Sequence, residues 1–222
     1  MKAALVPSPP PPELLLSEGG PRRFTQERAR KTYEALIKAA ELIFYKKGFD
    51  ATQTPDIAVG AGVSVGTFYR YFTDKKEVYL EVVRRNLLVS HHEVLDRLTP
   101  DRFANKARRV TIAEALRIMF DYATRHPAMN RVFREMSIRD PDVAQLKHVF
   151  DAEGVRRLAH LIGAVCSRDQ VADPEATAQV IHTAVVETAN LMAEESGRAV
   201  SRTRFEKALG EMIMRTLFGN AG

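Results

Sequence analysis

Six histidines and one cysteine are the side chains of this 222-residue sequence best suited to metal or nucleophilic chemistry, and their spacing argues against both. His91 and His92 are adjacent, so on a helix they diverge by about 100° and cannot close on one ion. His126, His148, His160 and His182 are scattered, with no His-x-x-Glu pairing on matched helices. Cys166 has no motif around it and reads as a small buried hydrophobe. No catalytic residue, metal or cofactor is expected, and catalysis is not the expected activity. Chemistry of another kind is available in Thr54–Phe72, TPDIAVGAGVSVGTFYRYF, where hydroxyls, phenols and an arginine are interleaved with glycines and small apolar residues. These groups hydrogen-bond to phosphate oxygens and base edges, the chemistry of gripping a duplex.

To do so they must be held on two short helices that cross steeply. Such a helix-turn-helix needs a small residue where the helices touch, a glycine in the turn and apolar residues that pin both helices to the domain. Ile57 and Ala61 supply the inner face of the first helix, Ala58 is the small contact, Gly62 permits the positive φ of the turn and Val63 packs beneath it. Ser64 caps the second helix, and Phe68 with Tyr71 or Phe72 returns to the core. Val65, Gly66, Thr67, Tyr69 and Arg70 are left at the leading, exposed end. Gly66 costs a helix about 1 kcal/mol relative to alanine, so its presence suggests that the backbone there comes close to DNA.

The flanking sequence supplies a helical frame. Residues 7–12 include five prolines, and roughly the first 20 residues lack any helical period, which predicts an arm outside the core. From Gln26, Leu36, Ala39, Ala40, Ile43 and Phe44 recur at steps of three and four until Gly48 ends the helix. Thr111–His126 carries a second such stripe, and Pro127 restarts the chain. Asp140-Pro141 and Asp173-Pro174 each place a capping acid before a proline at the first helical position, and Ser201 opens a last helix that runs to Gly219. No strand pattern occurs. The fold class is all-α, about nine helices.

Charge sharpens this division. Between Arg22 and Arg85 there are 13 Lys/Arg against 8 Asp/Glu, whereas the rest of the chain has 20 of each, so the whole net charge of +5 sits in that segment. A basic head on a neutral body suits an anionic partner, most commonly nucleic acid. One cysteine cannot form an internal disulfide, no apolar run is long enough to span a bilayer, and Met1–Val6 is too short for a secretory signal. A soluble cytoplasmic protein is expected.

The run AAELIFYKKGFDATQTPDIAVGAGVSVGTFYRYFTDKKEVYLEVV, with its Gly-Phe pair and its Gly-x-x-Tyr-x-Tyr-Phe close, resembles the DNA-binding domain of the tetracycline-repressor (TetR) family. The resemblance implies that Thr54 touches phosphate, that Val65, Gly66, Thr67 and Arg70 face bases or backbone, and that Tyr69, Tyr71 and Lys75 clamp phosphates; Ser64 is a further DNA-binding candidate. Asp56 departs from the basic or polar residue usual there and reads as a first-turn acid on the helix dipole. Arg22, Arg23, Arg28, Arg30 and Lys31 precede the domain as a minor-groove arm or, for Arg30 and Lys31, as helix partners of Glu27 and Glu34.

The implied organisation is an arm (1–21), a helix-turn-helix domain (22–72), a connecting helix (73–95) and an effector-binding and dimerisation domain (96–222). One recognition helix buries too little surface to select a site, so a homodimer on palindromic double-stranded DNA is expected, joined through the last two helices. Their stripes are Ala178, Ile181, Val185, Ala189 and Met192 on one, and Phe205 to Leu217 on the other. A second stripe, Val180, Ala184, Glu187 and Leu191, suggests that the first of the two is buried on both faces. Met119, Phe120, Met129, Phe133, Met136 and Phe150 are candidates to line a pocket for an apolar or aromatic effector, or are plain core. Glu187 either recognises the effector or pairs with Arg117 or Arg131. The reading that follows is a repressor released by a small molecule; the alternative is a constitutive, chromosome-organising dimer of the same fold.

Overall fold

The computed structural model describes residues 27–95, 98–103, 107–125, 127–194 and 200–219; the arm expected over 1–21, with Arg22 and Arg23, lies outside them. Nine α-helices and a short 3-10 turn, Pro100–Phe103, make up the described residues, without a strand. They are α1 Glu27–Ala51, α2 Thr54–Gly60, α3 Val65–Tyr69, α4 Lys75–Leu95, α5 Ala107–Arg125, α6 Pro127–Arg139, α7 Pro141–Val165, α8 Pro174–Ala193 and α9 Arg202–Phe218. None is long and apolar enough to cross a membrane.

Local chemistry sets the boundaries. Regular geometry in α1 gives out at Gly48, whose φ of 78° is open to glycine and unfavourable for a residue with a Cβ. Asp140 accepts from the backbone N–H of Asp142 and Val143, and Asp173 from that of Ala176, so both Asp-Pro pairs open helices. Ser201 stands at the start of α9, but its side chain caps nothing.

Two hydrophobic cores result, and they do not follow chain order. The first joins α1 to α4 through Leu36, Phe44, Ile57, Phe68 and Tyr79, then continues into α6 and the first half of α7 through Val132, Met136, Val143 and Phe150. The second gathers α5, the second half of α7, α8 and α9 around Leu116, Phe120, Ile162, Ala178 and Met192. Because α7 serves both, its middle is where the cores meet. There Gly154 is buried so closely against α8 that a Cβ would stand 3.1 Å from Nε2 of His182. Beside it the buried Glu153 accepts from Arg156 and Arg157 at 2.6–2.7 Å. Burial alone would raise its pKa, but the two guanidiniums outweigh that and hold it below the usual value.

The stripe expected to form the dimer interface is spent inside the subunit. Ala178, Ile181, Ala189 and Met192 of α8 are buried in the second core, as are Leu209, Ile213 and Leu217 of α9. A helix that packs on its own core presents the opposite face, and Val180 (64% exposed), Glu187 and Leu191 (50% exposed) lie on it.

Ion pairs fasten the head to α6 and α7. Lys76 of α4 binds Asp140 at 2.8 Å and Asp142 at 2.6 Å, and Arg139 binds Asp50 at 2.8 Å. Burial pushes the Asp140 pKa up, but Lys76 and the two capping N–H groups outweigh it and leave the pKa lowered. A depressed folded pKa contributes stability that is complete above the unfolded value, about 3.9, and is lost as pH falls through the folded one. Asp140→Asn keeps a good cap but loses the charge. It should cost about 1 kcal/mol at pH 7, the scale of a partly exposed pair. Unfolding followed against pH checks this: the gap between the two proteins should close below about pH 4, and a gap that stays constant to lower pH would refute the linkage.

Candidate nucleic-acid interface and internal cavity

Five residues cannot hold a helix on their own, so α3 is a product of its anchors. Gly62, at φ 68°, turns the chain out of α2. Ser64 then caps α3, accepting from the Thr67 N–H at 3.1 Å, with its Oγ 3.0 Å from the Thr67 hydroxyl. Phe68 is fully buried and Phe72 nearly so; the Phe72 ring stacks on Tyr33 of α1 with centroids 5.2 Å apart. With that side fixed, Val65, Gly66, Tyr69 and Arg70 are exposed, Tyr69 at 56%. A Cβ on Gly66 would meet only Ser64 Oγ, at 3.9 Å, so nothing within the subunit requires glycine there.

The other expected contacts are placed less uniformly. Thr54 is half-buried at the first turn of α2, and Tyr71 is half-buried with its ring 6.2 Å from that of Tyr33. Asp56 completes a capping box with Gln53 and binds Lys47 at 3.0 Å. Its pKa is lowered, first by Lys47 and then by the Gln53 N–H, which fits a first-turn acid. Arg30 binds Glu27 at 2.8 Å and Lys31 approaches the same carboxylate, so both act as helix partners.

Lys75, expected to clamp phosphate, is engaged inside the subunit. Its Nζ donates to the carbonyls of Phe49, Asp50 and Thr52 at 3.0–3.2 Å and lies 4.7 Å from the Phe49 ring centroid. All three ammonium donors are used in closing the end of α1. A contact that sequence reasoning missed is Gly60, where a Cβ would stand 3.2 Å from Ile43 and 3.3 Å from Ala39. Ala58 was the small residue expected to allow close packing; Gly60 also brings α2 against α1. Its signal was a third glycine in a seven-residue span, Gly60 to Gly66.

A cavity of about 820 Å³ lies between the two cores. Met119, Met129, Phe133 and Phe150 line it, together with Val83, Asn86 and Leu87 of α4. Phe120 and Met136 do not: the α5 and α6 stripes turn them into the second and first cores. Glu187 is also outside it, on the exposed face of α8, where Asn190 donates to it at 3.4 Å; Arg117 pairs with Asp121 instead. Residues not anticipated are Lys38, Leu42 and Tyr45 of α1 and His182 of α8. Burial lowers the pKa of His182 against the opposing pull of Asp151, which keeps the imidazole neutral at pH 7.

With this geometry in view, comparison with known proteins is decisive. Residues 36–82 match the model of bacterial regulatory proteins, tetR family, and residues 109–217 match that of the tetracyclin repressor-like C-terminal domain. The chain belongs to the TetR family. It is 42% identical over 76 residues to the HTH-type transcriptional regulator TtgR of Pseudomonas putida, a match covering 34% of each chain. It is 35% identical over 63 residues to the HTH-type transcriptional repressor BepR of Brucella suis, covering 28% of this chain and 30% of that one. The chain thus spans about a third of the length of these curated relatives. Its fold is that of a TetR-family transcriptional regulator from Mesorhizobium loti, with a TM-score of 0.69 and 20% identity over 85% of this chain and 98% of the other.

The placement of Lys75 gives a test within this TetR head. Lys75→Met keeps the aliphatic stem but abandons three carbonyls, and should destabilise the protein by about 1–3 kcal/mol. A melting temperature equal to that of the parent would show that those carbonyls do not depend on the ammonium group.

Proposed function

We propose that the protein is a sequence-specific transcriptional repressor, active as a homodimer on a palindromic operator and released from it by a small molecule bound in the cavity. The observation that carries this reading is the leading edge of α3: exposed Val65, Gly66, Tyr69 and Arg70 on a helix pinned from behind by Phe68 and capped by Ser64. That edge offers two apolar or backbone surfaces, a phenol and a guanidinium, the inventory needed for base edges and phosphates. Thr54, Ser64 and Thr67 add hydroxyls, and Tyr71 a phenol. BepR, a repressor by name, supports the sign of regulation.

A dimer through α8 and α9 is supported by the apolar side chains left outside the subunit core, Val180 and Leu191 on α8 and Met212 (41% exposed) on α9. Val180, Glu187 and Leu191 recur at steps of seven and four on one side of α8, able to meet their own copies across a dyad, while Ala184 between them packs on the second core. Release would act on α4, which reaches from Lys75 beside α3 to the cavity wall at Val83, Asn86 and Leu87. A guest that fits better when α4 is tilted changes the separation of the two recognition helices.

Selection of bound sequences from random duplexes tests the whole reading, and should return an inverted repeat with half-sites about 34–36 Å apart or a multiple of that. Many unrelated sequences bound alike, unaffected by any ligand, would favour the constitutive chromosome-organising dimer. Gly66→Ala should leave stability unchanged or raised by up to about 1 kcal/mol, since the added methyl is unopposed. It should nevertheless weaken operator binding about tenfold or more, equivalent to about 1.4 kcal/mol. Unchanged affinity would mean that the backbone at this position stands away from the DNA. A reporter driven from the selected operator should be silenced by the protein; activation would reverse the proposed sign.

A further inference from the structure

The cavity lining is apolar apart from a few charged side chains, and these differ in whether they are already satisfied. Resting on the effector reading above, we infer that the guest is an amphipathic anion, with an apolar body among the methionines and aromatics and an acidic head at the mouth, between Lys38 of α1 and Arg125 at the end of α5.

Two carboxylates line the cavity, and both are engaged. Glu41 accepts from Asn86 Nδ2 at 3.1 Å, and Asp151 is ion-paired with Lys147 while His182 Nε2 lies 4.0 Å away. Among the lining cations, Lys147 is thereby used and Arg134 is held by Glu194. Lys38 and Arg125 line the cavity, are exposed, and make no ion pair among the described residues. Being both lining and exposed, each stands where the cavity wall meets solvent. Among the described residues Glu41 meets only the neutral amide of Asn86, so a cationic guest would find one uncompensated carboxylate, whereas an anion finds two positive groups able to form charge-assisted hydrogen bonds. Tyr122 adds no negative charge, since burial, then Glu41 and Glu93, push its pKa up to about 12. Its hydroxyl is committed as donor to the Asn86 carbonyl at 2.8 Å.

Apolar side chains accompany Lys38 on the same helix. Lys38, Leu42 and Tyr45 recur at steps of four and three along α1, and Leu42 is 53% and Tyr45 39% exposed. Large apolar side chains beside a cavity mouth, rimmed by a cation, suit the neck of an amphiphile. Such a guest would touch α1, the helix that carries the head core through Leu36, Ala40 and Phe44, as well as α4.

The test uses the full-length dimer and a neutral solvatochromic dye, Nile red, with competitors of equal chain length below their micelle concentrations: dodecanoate, dodecanol and dodecyltrimethylammonium. Dye in the cavity is defined as the signal lost on Val186→Trp, with Ala115→Trp replacing it if the first variant does not fold. Dodecanoate should displace the dye at about tenfold lower concentration than dodecanol, the scale of one charge-assisted contact, with the ammonium compound weakest. Lys38→Gln with Arg125→Gln should bring the acid to the level of the alcohol. If the dye binds in the cavity but acid and alcohol compete equally, the ammonium competes best, none competes, or the acid preference survives the double substitution, this inference falls and the pocket stands. If no dye signal depends on the filling variants, the pocket reading fails and the inference with it.

Discussion

A five-residue helix is far below the length at which helices persist in water, so everything that α3 presents is decided by what lies behind it. Phe72 is stacked on Tyr33 with Phe68 beside it at 5.7 Å, and Tyr33 belongs to a long helix whose inner face is Leu36, Ala40 and Phe44. Phe44 meets Tyr79 of α4 edge-on at 5.1 Å, and Phe49 closes the same cluster. The orientation of Tyr69 and Arg70 is therefore a property of an aromatic core running through α1, α3 and α4. Any force that shifts α1 against α4 moves the recognition edge with them.

That dependence gives the two-core arrangement its mechanical meaning. Because the first core includes α6 and the beginning of α7, the head is not a separate bead on a linker. It is one packed body reaching to the middle of α7, further secured by Lys76 and Arg139. The second core holds α8 and α9, whose outer stripe is the candidate dyad surface. The cavity lies between the two, lined from one side by α1, α4 and α6 and from the other by α8 and α9. Packed cores resist compression, so a guest is accommodated more readily by moving one against the other than by deforming either. The close contact of Gly154 with His182 marks the place on α7 about which such movement is least free.

Much of this was legible in the residues themselves. Gly62, Ser64 and Phe68 have roles that follow from backbone geometry, capping and burial, all local properties, and the Asp-Pro pairs opened α7 and α8 for the same reason. What escaped was set by tertiary neighbours. A helical stripe shows that a face is buried but not against what: the Ala178–Met192 stripe serves the subunit's own core, and Val180 and Leu191 are left exposed. Phe120, Met136 and the cavity-lining Met119 and Phe133 are alike in type, and only the rotation of α5 and α6 separates core from wall. Leu42 and Tyr45 carried a signal, being apolar on the outward side of an amphipathic helix, which pattern alone treats as incidental.

Lys75 shows why counting charges in the head overstates the positive charge it presents. Of the basic residues between Arg28 and Arg85, Arg30, Lys31, Lys47, Lys76, Arg84 and Arg85 are matched by carboxylates. Lys75 is spent on carbonyls, and Lys38 lines the cavity mouth. A matched pair contributes little field beyond its own separation, and less beyond a Debye length of about 8 Å at physiological salt. The described surface thus offers phosphate mainly Arg28, Lys46 and Arg70, supplemented by hydroxyls, phenols and the backbone at Gly66. Neutral donors work only at hydrogen-bond distance and angle, so on the proposed operator they would demand that α3 seat closely in the groove. In the proposed dimer on DNA, the same closeness would make the complex sensitive to small changes in the spacing of two such helices. A head rich in long-range positive charge would tolerate the motion that a cavity of this size can produce; one that grips largely through short-range contacts would not.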